Sequence, residues 1–330
     1  MKRGLSRFNF YLVQIQVLLT KASKQKNPAL WLFQNNLRTP LFMIEGLAKM
    51  HIDFHNKKKF TKIKEQFKQL EDALGSIDYY DTFAKELSNN KIIPKEITGY
   101  LQAQAREKIQ SLNEILIEEK WIGNENSRIS KIQKKLHEAR WLKESDEIYA
   151  IDEYYGKAIY EIAAFIQKTG PHFDNVEEDV HELRRKLRWL SIYPQAFRGS
   201  IQLSINKPCP KHLIKYQTKE ITSSPFNIFP EAGNLKYFLL LDQQYFYSLS
   251  WIIATLGKLK DTGLRVIAIK EAILQTGTLT ENEALQSAYQ YAGTKQMKLT
   301  QILKNASAIT HAYFNEQNLE HLVIGTSKIK

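Results

Sequence analysis

The densest grouping of basic side chains that could do chemistry lies in residues 176–190, which read Val-Glu-Glu-Asp-Val-His-Glu-Leu-Arg-Arg-Lys-Leu-Arg-Trp-Leu. At about 100° per residue, a helix here gathers four basic side chains within roughly one third of its circumference. These four residues are His181, Arg184, Arg185 and Arg188. The opposite side carries an apolar spine of Val180, Leu183, Leu187 and Leu190, which can pack against the rest of the protein.

Three guanidiniums on one helix face repel each other unless solvent, acidic side chains or an anion neutralise them. Guanidinium forks match the geometry of phosphate oxygens, so this stripe favours a phosphate-bearing ligand. The alternative is a solvated basic face that is partly neutralised by Glu177, Glu178 and Asp179, which precede it. Acidic residues at a helix start are also favoured by the helix dipole. The helix by itself leaves both interpretations open.

Two further groups of basic residues are weaker candidates. Lys134, His137 and Arg140 recur at intervals of three, although Glu138 lies close enough to help neutralise them. Six lysines between residues 57 and 68 interleave with the apolar face of another predicted helix, and Lys62 is one of them. A face of this kind is usually solvated, so these lysines matter only if they share a groove with the arginines.

Signatures of catalysis are absent from the sequence. It has no Gly-rich phosphate loop, no His-Glu-x-x-His, no Cys-x-x-Cys and no Gly-x-Ser-x-Gly. His51 and His55 could share a helix face, but Asp53 between them does not make a metal site. Cys209 has no obvious partner base. We therefore predict no catalytic residue, no metal and no cofactor.

Helical periodicity dominates the elements that must position these residues. Thr280-x-x-Glu283 is a capping box that opens a late helix. At the N-terminus, polar residues interrupt an apolar run that follows basic ones, so we predict an amphipathic helix rather than an export signal. Further helical patterns cover 128–143, 146–168 and 175–198.

Residues 199–232 differ from this pattern. Four of the nine prolines fall in this segment, and Ile201–Ile205 alternates like a short strand. We interpret the segment as an insertion, either a long loop or a small hairpin, in an otherwise all-α protein. Helical structure is expected to resume near Leu235.

The charge balance points to an acidic partner. The chain has 330 residues, with 47 lysines and arginines against 35 acidic residues, and hence a formal net charge of +12. Nucleic acid, an anionic membrane surface and a phosphate polymer all fit that charge. The single cysteine excludes an intrachain disulfide, and no apolar run reaches the roughly 18–20 residues of a membrane span. We therefore expect a cytoplasmic protein without a membrane span.

The stretch His181-x-x-Arg184-Arg185-x-x-Arg188 resembles the signature helix of the CHAD family, the conserved histidine α-helical domain. The resemblance extends to an internal repeat over roughly residues 25–275. In each half of that family, a His/Arg helix is followed by a helix that ends in Leu-Gly, with an Asp nearby. The matching segments here are Leu74-Gly75-Ser76-Ile77-Asp78 and Leu256-Gly257-Lys258-Leu259-Lys260-Asp261.

The first half departs from the family pattern. Trp31–Arg38 takes the place of the first His/Arg helix, with Asn35 where the histidine is expected and Arg38 three residues later. Phe42 and Met43 replace the basic residues that should follow. The chain therefore resembles a divergent member of the family, with a reduced set of basic residues in its first half.

The resemblance implies a single unit over 1–330, built from two pseudo-symmetric antiparallel four-helix bundles. Its N-terminal half is 1–122, and its C-terminal half is 123–330 and includes the insertion. The implied function is non-catalytic binding of inorganic polyphosphate in a basic groove. The implied contacts are His181, Arg184, Arg185 and Arg188, with Arg38 from the other half and with Lys62 and Arg140 as weaker candidates.

Two other functions remain open. A nucleic-acid-binding helical protein explains the net charge equally well, although no helix-turn-helix or aromatic RNA platform is recognisable. The second of these functions is that of a helical scaffold without a polyanion ligand. Pairing of His181 and the arginines with acidic residues in the folded protein would favour the scaffold.

Overall fold

A computed structural model of the chain describes residues 2–123, 127–204, 208–293 and 295–328. The prediction of an all-α fold is confirmed, with one small sheet added. The helices are α1 Arg3–Ala22, α2 Pro28–Gln34, α3 Arg38–Phe54, α4 Lys57–Ser88, α5 Lys95–Glu118, α6 Ser127–His137, α7 Glu144–Thr169, α8 Glu182–Ala196, α9 Lys219–Thr222, α10 Gln243–Thr276, α11 Glu281–Ala292 and α12 Leu299–Asn315. The strands are β1 Ile201–Ser204, β2 Tyr237–Asp242 and β3 Val323–Lys328.

The described residues divide into two compact units that alternate along the chain. The first unit takes those within Met1–Lys49, Lys58–Arg140 and Thr262–Lys298. The second unit takes those within Met50–Lys57, Trp141–Asp261 and Leu299–Lys330. The halves expected from the sequence, 1–122 and 123–330, and their pseudo-symmetry stay a prediction.

In the first unit, α1 packs against α2 and α6, and α2 packs against α5. Phe8 of α1 meets Phe60 of α4 with 5.8 Å between ring centroids, and both rings are fully buried. The start of α2 is held by Asn113 of α5, whose Oδ1 accepts a hydrogen bond of 2.9 Å from the backbone N–H of Ala29. These contacts put the regularly spaced apolar faces of α1 and α4 into one core.

A carboxylate links three helices of the same unit. The hydroxyls of Tyr80 on α4 and Tyr100 on α5 both donate to Oε1 of Glu271 on α10, over 2.9 and 2.8 Å. Burial and the bond to Glu271 raise the pKa of the Tyr100 hydroxyl to about 12. Both tyrosines therefore stay protonated donors at neutral pH, and the last part of α10 is fixed to α4 and α5 by this pair of bonds.

The second unit combines α7 and α8 with the sheet. The Tyr155 hydroxyl of α7 donates to the backbone oxygen of Leu190 on α8 over 2.9 Å, and both residues are fully buried. Strand β2 lies between β1 and β3, parallel to β1 and antiparallel to β3. Helix α7 packs against β2 and β3, and α8 packs against β1. The insertion therefore contributes an edge strand to the sheet rather than only a surface loop.

The structure corrects several details of the sequence prediction. Strand β1 forms as expected, but its partner β2 runs parallel, so the insertion is not a hairpin. The chain continues as β2 after Leu235, where helical structure was expected, and α10 begins only at Gln243. Ile205 and the rest of 205–207 lie outside the described residues.

Helix α6 is shorter than the predicted 128–143, because it ends at His137. Trp141 instead packs edge-on against the rings of His51 and His55, each at 5.5 Å between centroids. Within the described residues, no helix is both long and apolar enough to cross a lipid bilayer.

The first unit buries one carboxyl side chain of α3. Glu45 is 6% exposed, and desolvation together with the nearby Glu71 raises its pKa to about 7, despite the opposing effect of Lys68. The unfolded chain gives up this proton near the ordinary carboxyl pKa. The folded chain keeps it until the pH approaches 7, so the free energy of unfolding falls as the pH rises from about 4.5 to about 7.

We expect Glu45→Gln to remove this pH dependence, because the amide stays neutral at every pH. The variant should match the wild type near pH 4 and exceed its free energy of unfolding by about 1–3 kcal/mol at pH 8. Urea unfolding at the two pH values measures the difference. Glu65→Gln on the exposed side of α4 is the matched control, and equal effects of the two substitutions at pH 8 would contradict this account.

Candidate functional site

The helix with the basic stripe begins in an unusual way. Asn175 caps it, because its side-chain oxygen accepts the backbone N–H groups of Glu177 and Glu178 over 2.7 and 3.1 Å. A π-helical turn, Val176–His181, then precedes α8. The uniform 100° spacing assumed from the sequence therefore does not hold before Glu182, although it holds for the arginines. The predicted apolar spine is fully buried at Val180, Leu183, Leu187 and Leu190.

The histidine of the stripe is paired with a carboxylate of the same helix. His181 Nδ1 lies 2.6 Å from Glu177 Oε2, one π-helical turn earlier. This hydrogen bond holds the pKa of Glu177 below its usual value. About two fifths of the histidine side chain is solvent-exposed. The imidazole is therefore accessible, but it already has an acidic partner.

Arg185 is paired as well. Its Nε donates to Glu182 Oε2 over 2.8 Å, and Lys186 Nζ lies 3.4 Å from the other oxygen of the same carboxylate. The side chain of Arg185 is 53% exposed. Ion pairs this exposed are worth about 0.2–1 kcal/mol in water, so Glu182 neutralises the stripe without holding it firmly.

Arg184 has a different role, because its side chain packs against α10. Its Nε donates to the backbone oxygen of Ile253 over 3.2 Å. A Cβ added to Gly257 would lie only 2.9 Å from the same Nε, so the guanidinium occupies the space that a side chain would take at this position. Arg184 is therefore part of the contact between α8 and α10. Arg188 follows one turn later and is half-buried.

The same local arrangement occurs in the first unit. A Cβ added to Gly75 of α4 would lie 2.9 Å from Nη2 of Arg38. Arg38 also donates from Nε to Glu71 over 2.7 Å and from Nη1 to Asp78 over 3.0 Å. Phe42, which stands where the family resemblance expects a basic residue, has its ring centroid 5.4 Å from the Arg38 guanidinium carbon. Here two carboxylates and an aromatic ring surround the arginine.

The first His/Arg helix proposed over Trp31–Arg38 is wrong as a single element. Helix α2 ends at Gln34, and α3 begins at Arg38. Between them Asn36 adopts a positive φ of 55°, and Asn35 turns its side-chain amide back onto the backbone oxygen of Trp31. Consecutive polar Asn residues tolerate this conformation, which explains the break. Asn35 and Arg38 consequently do not share a helix face.

The remaining predicted contacts belong to a different compact unit from the stripe. Lys62 is exposed on α4, and Arg140 is exposed in the loop after α6 rather than on that helix. Both belong to the first unit together with Arg38, whereas the stripe belongs to the second. Only His181, Arg184, Arg185 and Arg188 share one helical segment.

Of the acidic partners, Glu177 was expected to help neutralise the stripe, whereas Glu182 and Glu71 were not recognised. Glu177 and Glu182 lie four residues before His181 and three before Arg185, a spacing that signals helix ion pairs. Glu71 lies 33 residues from Arg38, and nothing in the sequence links the two. The arrangement offers hydrogen-bond donors and positive charge at the surface. Donors and positive charge of this kind can bind an anion.

The histidines considered for a metal are packed in an aromatic cluster. His51 is fully buried, with ring centroids 5.3 Å from His55 and 5.6 Å from Phe197 in stacked geometry. Among the described residues there is no group of three or more His, Cys, Asp or Glu side chains that could hold a metal ion.

No protein-family model matches the chain, and no curated protein and no solved structure matches it at a significant level.

The contact between Arg184 and Gly257 makes a test by substitution possible. Alanine is favoured over glycine inside a helix by about 1 kcal/mol. Gly156→Ala on α7, where an added Cβ meets nothing within 4 Å, should therefore raise the free energy of unfolding by about 0.5–1 kcal/mol. Gly257→Ala should instead lower it by about 1–2 kcal/mol, because the new methyl displaces the Arg184 guanidinium from Ile253.

Arg184→Met removes the obstacle, so Gly257→Ala should recover its favourable effect in that background. Thermal unfolding of the two single variants and the double variant forms a double-mutant cycle that measures this coupling. In the first unit, Gly75→Ala and Gly99→Ala form the equivalent pair, since an added Cβ at Gly99 meets nothing within 4 Å. Equal effects at Gly257 and Gly156 would rule out the close contact.

Proposed function

We propose that the protein is a non-catalytic binding protein for a polyanion, and that the polyanion is inorganic polyphosphate. The observation that carries the proposal is the recurrence of an arginine against a helix glycine, at Arg38 with Gly75 and at Arg184 with Gly257. The resemblance to the CHAD family pairs these positions across its internal repeat. Two independent occurrences of one uncommon contact support that alignment, and polyphosphate binding is what the family resemblance implies.

The charge distribution of the stripe suits such a ligand. Polyphosphate presents only charged oxygens, so donors on a rigid helix suffice and no stacking platform is needed. Arg185 and His181 are exposed, and their bonds to Glu182 and Glu177 are short-range surface pairs. A chain of phosphates that meets several cations at once can displace such pairs, because each is worth about 1 kcal/mol or less. Binding then weakens steeply with salt.

Arg184 is a positioning residue in this proposal rather than the main contact. Its guanidinium is used to join α8 to α10, and Arg38 is used in the same way within its own unit. The exposed residues Arg185 and His181, with Arg188 beside them, form the proposed binding face. Lys62 and Arg140 stay weaker candidates.

A second candidate is a helical scaffold without a polyanion ligand. The specific observation in its favour is that His181 and Arg185 each have an acidic partner within 2.9 Å. If those pairs persist in the presence of polyanions, the stripe is only a solvated surface. RNA serves as the comparison ligand, because its backbone carries phosphate charges like those of polyphosphate and adds bases.

The test is binding of long-chain polyphosphate and of RNA of matched charge, at low and moderate salt. Arg185→Gln with Arg188→Gln should weaken polyphosphate binding about tenfold or more at low salt. Glu182→Gln should strengthen it about two- to fivefold, because it releases Arg185 and removes a negative charge. Fluorescence anisotropy of the labelled polymers measures the affinity of the wild type and of both variants.

Arg106→Gln with Lys91→Gln is the matched control, since it removes two exposed positive charges from the first unit. If this control weakens binding as much as the stripe variant, the effect is one of net charge and the site is misplaced. Equal affinity for RNA and polyphosphate would favour the nucleic-acid alternative. Absence of binding to both polymers would leave the scaffold as the function.

A further inference from the structure

Helix α1 has two apolar faces, and only one of them is used in the core. The inner face consists of side chains exposed by at most 7%, namely Leu5, Phe8, Leu12, Ile15 and Leu19. On the other face Phe10, Val13 and Val17 are exposed by 43, 52 and 47%. Their spacing of three and four residues aligns them in one row along the helix. Single exposed apolar residues are ordinary, but a continuous row along one helix is a candidate contact surface.

Positive charge lies at both ends of this row. Lys2 precedes α1, Lys21 is in its last turn, and Lys24 and Lys26 follow it, and all four are exposed. Helix α1 contains no Asp or Glu, and the first acidic residue of the chain is Glu45. We call Phe10, Val13 and Val17, together with these four lysines, the docking face.

Two of the helices that pack against α1 carry no negative charge of their own. Helix α1 packs against α2 and α6, and neither of these two helices contains an acidic residue. Helix α6 adds further cations, among them Lys131 and Lys134, which are exposed. This region therefore differs from α8, whose exposed cations have carboxylates on the same helical segment.

We infer that the docking face binds the surface of an anionic lipid membrane, with α1 lying parallel to the bilayer. A helix with an apolar row and flanking lysines suits the boundary between headgroups and acyl chains. The row supplies hydrophobic contact, and the long lysine side chains can reach lipid phosphates from both ends of the helix. About 28 Å separates residues 2 and 21 along a helix axis, so the lysines bracket the row rather than interrupt it.

Other occupants fit this surface less well. A nucleic acid or polyphosphate would use the lysines but would leave the central apolar row in contact with charged oxygens. A second copy of the chain that paired through the same face would bring lysines close to lysines, because an isologous contact matches a surface with itself. An anionic bilayer satisfies both the apolar row and its charged ends.

The test uses the full chain and sedimentation with vesicles of phosphatidylcholine alone or mixed with phosphatidylserine. The wild type should sediment with the phosphatidylserine vesicles only. Val13→Ser with Val17→Ser should weaken this binding at least about tenfold, because the apolar contact is lost. Lys21→Gln with Lys24→Gln should weaken it to a similar extent at physiological salt. All four side chains are exposed, so thermal unfolding should be unchanged in both variants.

Two control variants match these changes elsewhere on the surface. Ile92→Ser with Ile228→Ser removes two side chains that are exposed by 73 and 70%, and Lys91→Gln with Lys95→Gln removes two exposed charges. Both control variants should bind vesicles like the wild type. Absence of vesicle binding would overturn the inference, and so would equal losses in each variant and its control.

Two further outcomes would assign the face to another occupant and would also overturn the inference. One is a wild-type dimer in sedimentation velocity that Val13→Ser with Val17→Ser converts to monomer without any vesicle binding. The other is loss of polyphosphate or RNA binding in the same variant. Polyphosphate binding that persists in this variant separates the docking face from the proposed polyanion site on α8.

Discussion

The arrangement of the candidate site depends on a guanidinium that lies directly against a helix glycine. Arg184 can donate to the backbone of α10 only because Gly257 has no Cβ, which would otherwise stand 2.9 Å from its Nε. This contact fixes α8 against α10. The buried apolar spine of α8 holds the opposite side of the helix in the core. Once the helix is fixed, its rotation decides that Arg185 points outward. One arginine of the stripe is thus used for structure so that others are presented to solvent.

The first unit uses the same contact with a different electrostatic environment. Arg38 rests against Gly75, but it also binds Glu71 and Asp78, and Glu71 is buried. A buried carboxylate needs a cation nearby, and Arg38 supplies it for Glu71. The negative charge of Glu71 also helps to keep the neighbouring Glu45 protonated up to about pH 7. The arginine of this unit is therefore committed to a network of carboxyl groups. The apolar residues Phe42 and Met43 that follow Arg38 fit a structural role for this arginine.

The sequence predicted those features that follow from local spacing. The apolar spine of α8, the capping box at Thr280 and strand β1 all form, because hydrophobic period and side-chain capping act within a few residues. Strand β2 was missed, because a buried strand is an apolar run that periodicity cannot distinguish from a helix. The break between α2 and α3 was missed because two helical patterns continue on either side of Asn36. The acidic partner of Arg38 is remote in sequence, so only the fold reveals it.

The two basic surfaces differ in how their charge is balanced, and this difference bears on their ligands. On α8 each exposed cation has a carboxylate one helical turn away, so a ligand must compete with an intramolecular partner. Such competition favours a ligand with many closely spaced charges, since every additional phosphate contact releases counterions while each surface pair opposes it only weakly. Helices α2 and α6, which pack against α1, carry no acidic residue, and α1 exposes an apolar row between its lysines. A surface of that kind gains from a ligand with both charge and hydrocarbon, which a phosphate polymer lacks. The same net charge of the chain therefore supports two surfaces with different chemical preferences.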